Sequence, residues 1–239
     1  MILEFFDVNI WFGNLMNDKL KISVSLKQTE KKMDELNIKK AIVYHISQRD
    51  VHPEFGNEIL INEISNKEKF YGIYTLLPFQ TEEIKKIDFK ELKKKKIVGF
   101  NFFPKKHNYI LSKTTFGEFL SEVEYRNFPV FLDISFCDYN NVYEILNDFP
   151  NLTCILCNLG IWNTDRFTWP LLEKYPNVYL ESSLLSLQEG GIEETVKNTL
   201  LKGLFLVAVF LKDILKHQFY RSLMQKLKRK IKKTLLIET

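Results

Sequence analysis

The chain has 239 residues, of which 45% are hydrophobic and 27% are charged. This composition is typical of a globular protein and excludes an intrinsically disordered one. The length is ordinary for a single α/β barrel and long for a single β-sandwich, so we predict one large domain.

The formal net charge of +4 is concentrated at the C-terminal end of the chain. Residues 216–239 contain eight Lys and Arg residues against one acidic residue, so this segment carries +7 and leaves −3 for the rest. The body of the protein therefore has no need of a basic face. We expect it to have no nucleic-acid partner.

The start of the sequence shows no basic, then apolar, then small-residue pattern, so we expect no secretory signal and a cytoplasmic location. Cys137, Cys154 and Cys157 make no even disulfide framework, which fits a reducing compartment. Cys154 and Cys157 spell C-x-x-C inside a strand-like run, where residues three apart face opposite sides. We predict that they are buried small hydrophobic residues rather than a redox or zinc pair.

Short β-rich runs alternate with amphipathic segments along the chain. The predicted strands are Phe5–Gly13, Lys40–Ile46, Phe70–Pro78, Ile97–Pro104, Pro129–Ser135, Leu152–Gly160, Val178–Ser183 and Leu204–Phe210. The predicted helices are Ser25–Asn37, Phe55–Ser65, Thr81–Lys94, Thr115–Tyr125, Asn140–Asp148, Thr168–Lys174 and Ile192–Leu201.

Eight strands with intervening helices predict an α/β fold of the (β/α)8 TIM barrel type. A doubly wound open sheet is the competing architecture. That architecture more often begins with a glycine-rich first turn, and no G-x-G-x-x-G occurs here. The last apolar run, 204–210, is far shorter than the roughly 20 residues of a membrane-spanning helix, so we expect no membrane partner.

The first predicted strand, F-F-D-V-N-I-W-F-G, places a polar row opposite an apolar row. Alternate side chains of an extended chain share a face, so Asp7, Asn9 and Trp11 are predicted on one side. Phe6, Val8 and Ile10 would then point to the other side. This pattern suits a strand at a binding cavity, and it also suits any half-buried strand.

Polar residues at the carboxyl ends of the strands are the candidates for the reaction site of such a barrel. We predict catalytic roles for Asp7, His45, Arg49, Asp133 and Glu181, and substrate binding by Asn9, Asn57, Asn101 and Asn158. His45 could act as acid, base or anion ligand near neutral pH, or it could be a core histidine. For Asp133 and Asn158, capping of the following turn is an equal alternative.

A series of motifs resembles the successive strands of the amidohydrolase-related proteins. That branch of the amidohydrolase superfamily includes aminocarboxymuconate-semialdehyde-decarboxylase-like enzymes. The motifs are F-D-V-N-I-W-F-G, M-D-E-L-N-I-K-K-A-I-V, G-I-Y-T-L-L-P, V-G-F-N-F-F-P, P-V-F-L-D-I, F-P-N-L-T-C-I-L-C-N-L-G and K-Y-P-N-V-Y-L-E-S-S. The resemblance extends over residues 3–191, and the order and spacing of the motifs are more specific than any one motif.

The resemblance implies a metal-assisted hydrolase or non-oxidative decarboxylase on a TIM barrel. It also implies metal ligands from an H-x-H pair on the first strand, a later histidine and an Asp on the eighth strand. Here Asn9 and Trp11 stand in the place of the H-x-H pair, and Asn158 stands in the place of the strand-six histidine. An amide oxygen is a poor zinc ligand and an indole is none. We therefore predict no metal ligands and no cofactor, although the family would hold a divalent metal such as zinc.

The end of the chain departs further from the family. The family's eighth strand resembles L-F-G-S-D-x-P, whereas this chain has L-F-L-V-A-V-F-L-K from Leu204. With suitable codons, a neighbouring reading frame gives F-F-G-S-G-F-P here and a family-like last helix over 223–239. We therefore predict a barrel body over residues 1–203 and a divergent last strand with a basic helix over 204–239, produced by a frameshift near Leu204.

An alternative interpretation accepts the basic C-terminal segment as the native sequence. Residues 219–237 place Leu223, Leu227 and Ile231 at helical spacing among basic residues, which describes a helix able to lie on an anionic membrane or nucleic acid.

The function predicted from these observations is hydrolase-like or decarboxylase-like action on a small polar or carboxylated substrate. The alternative is a barrel without turnover, which would serve as a ligand-binding or interaction protein or be a frameshifted gene product. A small molecule is the expected partner, and a homodimer is left open.

Overall fold

A computed structural model of the chain describes residues 5–15, 22–159, 165–181 and 204–205. One sheet of nine strands forms its centre, in the order β2-β1-β3-β4-β5-β6-β7-β8-β9. The strands are β1 (Phe5–Asn14), β2 (Ser23–Val24), β3 (Ile38–His45), β4 (Phe70–Thr75), β5 (Ile97–Phe102), β6 (Val130–Asp133), β7 (Cys154–Cys157), β8 (Val178–Glu181) and β9 (Leu204–Phe205). All neighbouring pairs are parallel except β1 with β2, which are antiparallel.

The helices connect consecutive parallel strands. They are α1 (Leu26–Leu36), α2 (Ser47–Asp50), α3 (Pro53–Ile64), α4 (Phe89–Lys94), α5 (Pro104–His107), α6 (Lys113–Tyr125), α7 (Tyr139–Asp148) and α8 (Asp165–Lys174), with a 3-10 turn at Phe79–Thr81. Parallel strands in sequence order with helical crossovers are the arrangement of a β/α barrel.

The sheet is strongly curled, because side chains of distant strands meet. The Nδ2 atom of Asn9, on β1, donates a hydrogen bond to the Oε2 atom of Glu181, on β8, over 3.0 Å. Six strand spacings separate β1 from β8, so a flat sheet would hold them about 29 Å apart. The contact therefore requires the sheet to wrap around a shared axis. The described residues, in which no ladder joins β9 to β1, therefore form a partial TIM barrel.

Two hydrophobic clusters occupy the two sides of this curled sheet. The inner cluster takes Val8, Tyr44, Ile73, Phe131 and Ile155 from five strands, and Val98 and Tyr179 pack against it from two more. The outer cluster is larger and lies between the sheet and the helices. An inner cluster shared by so many strands indicates a packed barrel interior.

Local sequence signals explain where several helices begin. Ser25 caps α1 in a reciprocal capping box with Gln28. The carboxylate of Asp88 caps α4, and Pro53 and Pro104 start α3 and α5 at positions that tolerate proline. The buried side of α6 carries Phe116, Phe119, Leu120 and Val123 at helical spacing.

The predicted element types agree with the structure at most positions, and one helix differs. The helix predicted over 81–94 is a 3-10 turn at Phe79–Thr81, then irregular chain, then α4 from Phe89. Asp88 explains the late start, because its side chain accepts bonds from the backbone N–H groups of Lys90 and Glu91. The helix predicted over 192–201, the strand beyond residue 205 and the basic tail lie outside the described residues.

Two further expectations from the sequence concern the thiols and the membrane. Cys154 and Cys157 are buried and free, and they belong to the outer and the inner cluster respectively, which confirms that they face opposite sides of β7. Burial raises the pKa of both thiols, so neither is a reactive thiolate. Among the described helices, none has the length and apolar character needed to cross a bilayer.

Candidate functional site at the mouth of the barrel

A bulge in β1 determines which of its side chains enter the barrel. Asp7 pairs with Ala41 and Ile10 pairs with Val43, so two residues of β1 oppose one residue of β3. Val8 consequently joins the inner cluster, and Asn9 reaches Glu181. The strict alternation expected from the sequence is wrong here.

Asp7 lies on the other side of this bulge from Asn9. It is in register with Ala41, whose side chain belongs to the outer cluster, so it does not share the inner face with Asn9. The carboxylate is buried, and its Oδ1 atom accepts a hydrogen bond from the backbone N–H of Asn9 over 3.2 Å. Asp7 thus supports the bulge that directs Asn9 inward.

A chain of hydrogen bonds joins four polar side chains at the carboxyl ends of the strands. Glu181 accepts from the Asn9 amide and from the backbone N–H of Asn158, at 3.0 Å and 3.3 Å. The amide of Asn158 then donates to Oδ2 of Asp133 over 2.6 Å. We call these four residues, Asn9, Asp133, Asn158 and Glu181, the amide–carboxylate chain.

The backbone of Asn158 makes this geometry available. Its φ of 53° lies in the left-handed region, which asparagine adopts more readily than most residues. In this conformation its N–H reaches one carboxylate while its side chain reaches another. The side chain of Asn158 therefore links the end of β7 to β6, and its backbone N–H links it to β8.

Asp133 is held in a buried position at the end of β6. Its Oδ1 atom accepts from the backbone N–H of Ser135 over 2.9 Å, in addition to the bond from Asn158. Burial raises the pKa of this carboxyl, although these hydrogen bonds and the charge of Arg49 act in the opposite direction. The sequence had suggested a carboxylate kept ionised by Arg49, and for Asp133 burial outweighs that effect.

Arg49 contacts the loop that follows Asp133 and is fixed by three contacts. Its Nε and Nη2 atoms donate to the two oxygens of Asp50, at 2.8 Å and 3.0 Å. The guanidinium stacks 5.0 Å from the ring centre of Phe136, and the backbone carbonyl of Arg49 accepts from Nε2 of His107 over 3.0 Å. Within the described residues Nη1 has no protein acceptor, so it remains available to an anionic ligand.

Tyr44 enters the same region from β3, although the sequence had not suggested it. It is in register with Trp11 and belongs to the inner cluster. Burial raises the pKa of its phenol, with an opposing effect from Arg49 and a supporting one from Asp133, so the hydroxyl stays protonated. The strand pattern could have revealed it, because Tyr44 alternates with the outward-facing Val43 and His45.

His45 faces the opposite side of the sheet from Tyr44. It is in register with Phe12, whose ring it meets edge-on at 5.0 Å between centroids, and its Nδ1 accepts from the backbone N–H of Ser47. The ring lines a cavity of about 400 Å³ beside β2 and α3. Burial lowers the pKa of this imidazole. His45 is therefore not brought together with Asp133 and Arg49.

Asn57 and Asn101 take different positions below the mouth. Asn57, on α3, is fully buried and binds Gln48 and both backbone groups of Thr75, so its amide is engaged with protein atoms. Asn101, on β5, is buried and turned towards the barrel interior, because its neighbours Phe100 and Phe102 belong to the outer cluster.

The donor set does not fit the divalent metal that the resemblance implies. The amides of Asn9 and Asn158 present N–H groups, not oxygens, to the carboxylates beside them, and Trp11 offers no lone pair. Among the described residues no group of three or more His, Cys, Asp or Glu side chains is placed to hold a metal ion. Transition metals and zinc prefer imidazole and thiolate ligands, and none of the four residues of the amide–carboxylate chain supplies either.

Comparison with known proteins gives solved structures only, since no protein-family model and no curated protein matches the sequence. The 2,6-dihydroxybenzoate decarboxylase from Rhizobium is similar at a TM-score of 0.65 and 12% identity, over 90% of this chain and 89% of that one. A probable 2-pyrone-4,6-dicarboxylic acid hydrolase from Acinetobacter baumannii, with citric acid bound, is similar at 0.59 and 16%, over 96% and 92%. The fold is the one that these proteins share.

A third similar structure agrees with the first two. Amidohydrolase 2 from Bifidobacterium longum subsp. infantis gives a TM-score of 0.58 at 13% identity, over 87% of this chain and 85% of that one. The structural neighbours are thus amidohydrolase-superfamily hydrolases and decarboxylases, as the sequence motifs had suggested. At these identities the similarity establishes the fold, and the chemistry must be argued from the mouth itself.

Proposed function

We propose that this chain is an amidohydrolase-related (β/α)8 barrel that binds a small carboxylated compound at its mouth and acts on it without a metal ion. The observation that carries this proposal is that Arg49 stacks on Phe136, three residues after Asp133, where its charge acts on the Asp133 carboxyl. A cation with one unused N–H edge beside a buried carboxyl of raised pKa is a combination suited to binding and proton transfer.

In the proposed complex, Arg49 and Tyr44 bind the carboxylate of the ligand. Nη1 of Arg49 donates a charge-assisted hydrogen bond, and Asp50 and Phe136 keep the guanidinium in place. Tyr44 adds a neutral hydroxyl donor. Asp133 then exchanges the proton: it would take one from an attacking water in a hydrolysis, or deliver one to the carbon from which CO2 leaves in a decarboxylation.

In this proposal the amide–carboxylate chain takes the structural place that the metal ion has in the family that the sequence resembles. Asn9 and Asn158 neutralise part of the charge of Glu181 and Asp133 with N–H dipoles, and they tie β1, β6, β7 and β8 together. Activity would therefore persist in the presence of a chelator. A strong loss of activity with EDTA, restored by zinc, would contradict this assignment.

The decisive experiment compares Arg49→Met with Arg126→Met. Arg126 is a matched control, since it also stacks on a phenylalanine, Phe89, and pairs with an acidic residue, Glu122, but it lies at the end of α6 away from the mouth. We expect benzoate and citrate to raise the melting temperature of the wild type and of Arg126→Met but not of Arg49→Met. If the ligands stabilise both variants equally, Arg49 does not bind the carboxylate.

Turnover is tested on the two compounds named for the similar structures. Release of CO2 from 2,6-dihydroxybenzoate and ring opening of 2-pyrone-4,6-dicarboxylate would be followed with and without divalent metal. Asp133→Asn should abolish either reaction.

Binding without turnover on any carboxylate would favour the second function, a ligand-binding barrel. The internal pairing of the four chain residues supports that alternative, because it leaves fewer groups free for chemistry.

A further inference from the structure

Two polar side chains lie side by side below the mouth of the barrel. Thr75 ends β4 and is in register with Asn101 on the adjacent strand β5. Ile73, two residues before Thr75, belongs to the inner cluster, and Phe100 and Phe102 on either side of Asn101 belong to the outer one. Both polar side chains therefore point into the barrel interior.

Both side chains keep unused hydrogen-bonding capacity. Thr75 and Asn101 are 0% and 4% exposed, and within the described part of the chain the Oγ1 atom of Thr75 and the Nδ2 atom of Asn101 have no hydrogen-bond partner. Buried polar atoms of native proteins almost always have a hydrogen-bond partner. Two buried atoms without one, on residues that are neighbours across two strands, therefore require an explanation. A ligand that supplies the partner is one explanation.

The surrounding structure holds this pair in place. The side chain of Asn57 accepts from the backbone N–H of Thr75 and donates to its carbonyl, both over 2.9 Å, and Gln48 binds Asn57 in turn. Gln48 also donates to the carbonyl of Ile73. The end of β4 is thus held from α2 and α3, which fixes the backbone that carries the Thr75 hydroxyl.

The separation between Asp133 and the Thr75–Asn101 pair indicates how far a ligand must extend to reach both. Asn101 is in register with Phe131 on β6, and Asp133 lies two residues further towards the mouth on that strand. Two residues of a strand span about 6.6 Å. Measured along β6, the pair is therefore level with a position about one layer of inward-facing side chains before Asp133.

We propose that Thr75 and Asn101 form a floor subsite that binds a hydroxyl group of the substrate, which makes the substrate a small hydroxycarboxylate. The proposal rests on the proposed function for the carboxylate end of the ligand. Asn101 Nδ2 can only donate, whereas Thr75 Oγ1 can donate or accept. A hydroxyl satisfies both atoms at once, since its oxygen accepts from Asn101 and its hydrogen is donated to Thr75.

The test uses Thr75→Val, which keeps the shape of the side chain and removes only its hydroxyl. Thr114→Val, at an exposed position of α6, is the control for the same exchange. Binding of 2,6-dihydroxybenzoate and of benzoate would be measured by calorimetry for both variants and the wild type. We expect Thr75→Val to weaken the binding of 2,6-dihydroxybenzoate by about 10- to 100-fold and to leave the binding of benzoate unchanged. Asn101→Leu should act in the same direction.

Three outcomes separate the floor subsite from the carboxylate site. If the wild type binds the two compounds equally and Arg49→Met abolishes both, the floor subsite is wrong and the proposed carboxylate site stands. If the wild type binds neither compound, the carboxylate site itself is wrong. The melting temperature of ligand-free Thr75→Val tests the floor independently: a value at or above the wild type supports an unsatisfied hydroxyl, and a clear drop shows a partner such as a buried water and overturns the subsite.

Discussion

Asp133 is the residue at the mouth whose ionisation depends most clearly on its surroundings. Its carboxyl is buried among strand ends, and although it accepts hydrogen bonds from Ser135 and Asn158, burial raises its pKa above the ordinary value of 3.8. A carboxyl of raised pKa is a usable proton donor and acceptor closer to neutral pH. The same shift must appear in the stability of the protein.

We predict that the stability of Asp133→Asn relative to the wild type increases as the pH rises from 4 to 8, so that the difference between their free energies of unfolding shifts in favour of the variant. The folded state binds the Asp133 proton more tightly than the unfolded chain does, so wild-type stability falls as the pH rises from 3.8 through the folded pKa. The neutral amide avoids that loss. Urea unfolding of wild type and variant across this pH range measures the effect, and a difference that does not vary with pH would contradict it.

At the scale of single elements, helix α1 shows how local signals hold the outer layer on the sheet. The hydroxyl of Ser25 accepts from the backbone N–H of Gln28, and the side chain of Gln28 accepts from the backbone N–H of Ser25. Met33 and Leu26 on this helix pack into the outer cluster against β3.

We predict that Ser25→Ala destabilises the protein by about 1 kcal/mol, the usual effect of removing a helix N-cap. Ser121→Ala is the matched control, since that hydroxyl lies exposed in the middle of α6 and only bonds back to the carbonyl of Gly117. The control should change stability by less than about 0.5 kcal/mol. Chemical denaturation of the two variants distinguishes them, and equal effects would show that the capping box is not a stabilising feature.

At the scale of the whole molecule, the curl of the sheet brings the functional groups together. Asn9 and Glu181 come from the first and eighth strands of the chain, 172 residues apart, and their contact depends on the sheet wrapping around the inner cluster. Within the described residues the last strand of this arrangement is β9, a two-residue strand paired with β8. The sequence after Leu204 therefore decides whether the last barrel unit is like that of the similar structures.

We predict that the coding DNA near Leu204 carries a single-base loss relative to the family reading frame. Restoring one base should then give F-F-G-S-G-F-P in place of the present run from Leu204, and a family-like helix over 223–239. Resequencing the tract from an independent source measures this directly. Codons that are incompatible with the shifted reading would end the hypothesis and leave the basic tail as the native sequence.

The sequence alone was sufficient for the order and type of most elements, because hydrophobic spacing and turn residues are local. It also selected Asn9, Asp133, Asn158 and Glu181 as candidates, since polar residues at strand ends are visible as breaks in apolar runs, and the structure joins these four by hydrogen bonds. It could not give their partners. Which amide donates to which carboxylate depends on the curl of the sheet and on the left-handed backbone of Asn158.

Only the tertiary structure shows which face of the sheet each side chain lies on and how deeply it is buried. His45 and Tyr44 are adjacent in sequence, and only strand register shows that Tyr44 turns inward while His45 turns towards the helices. The bulge at Val8 and Asn9 reversed the simple alternation for the same reason, because one extra residue shifts every side chain before it to the other face. Thr75 carries no sequence signal at all, since an unpartnered hydroxyl becomes meaningful only when its burial is known.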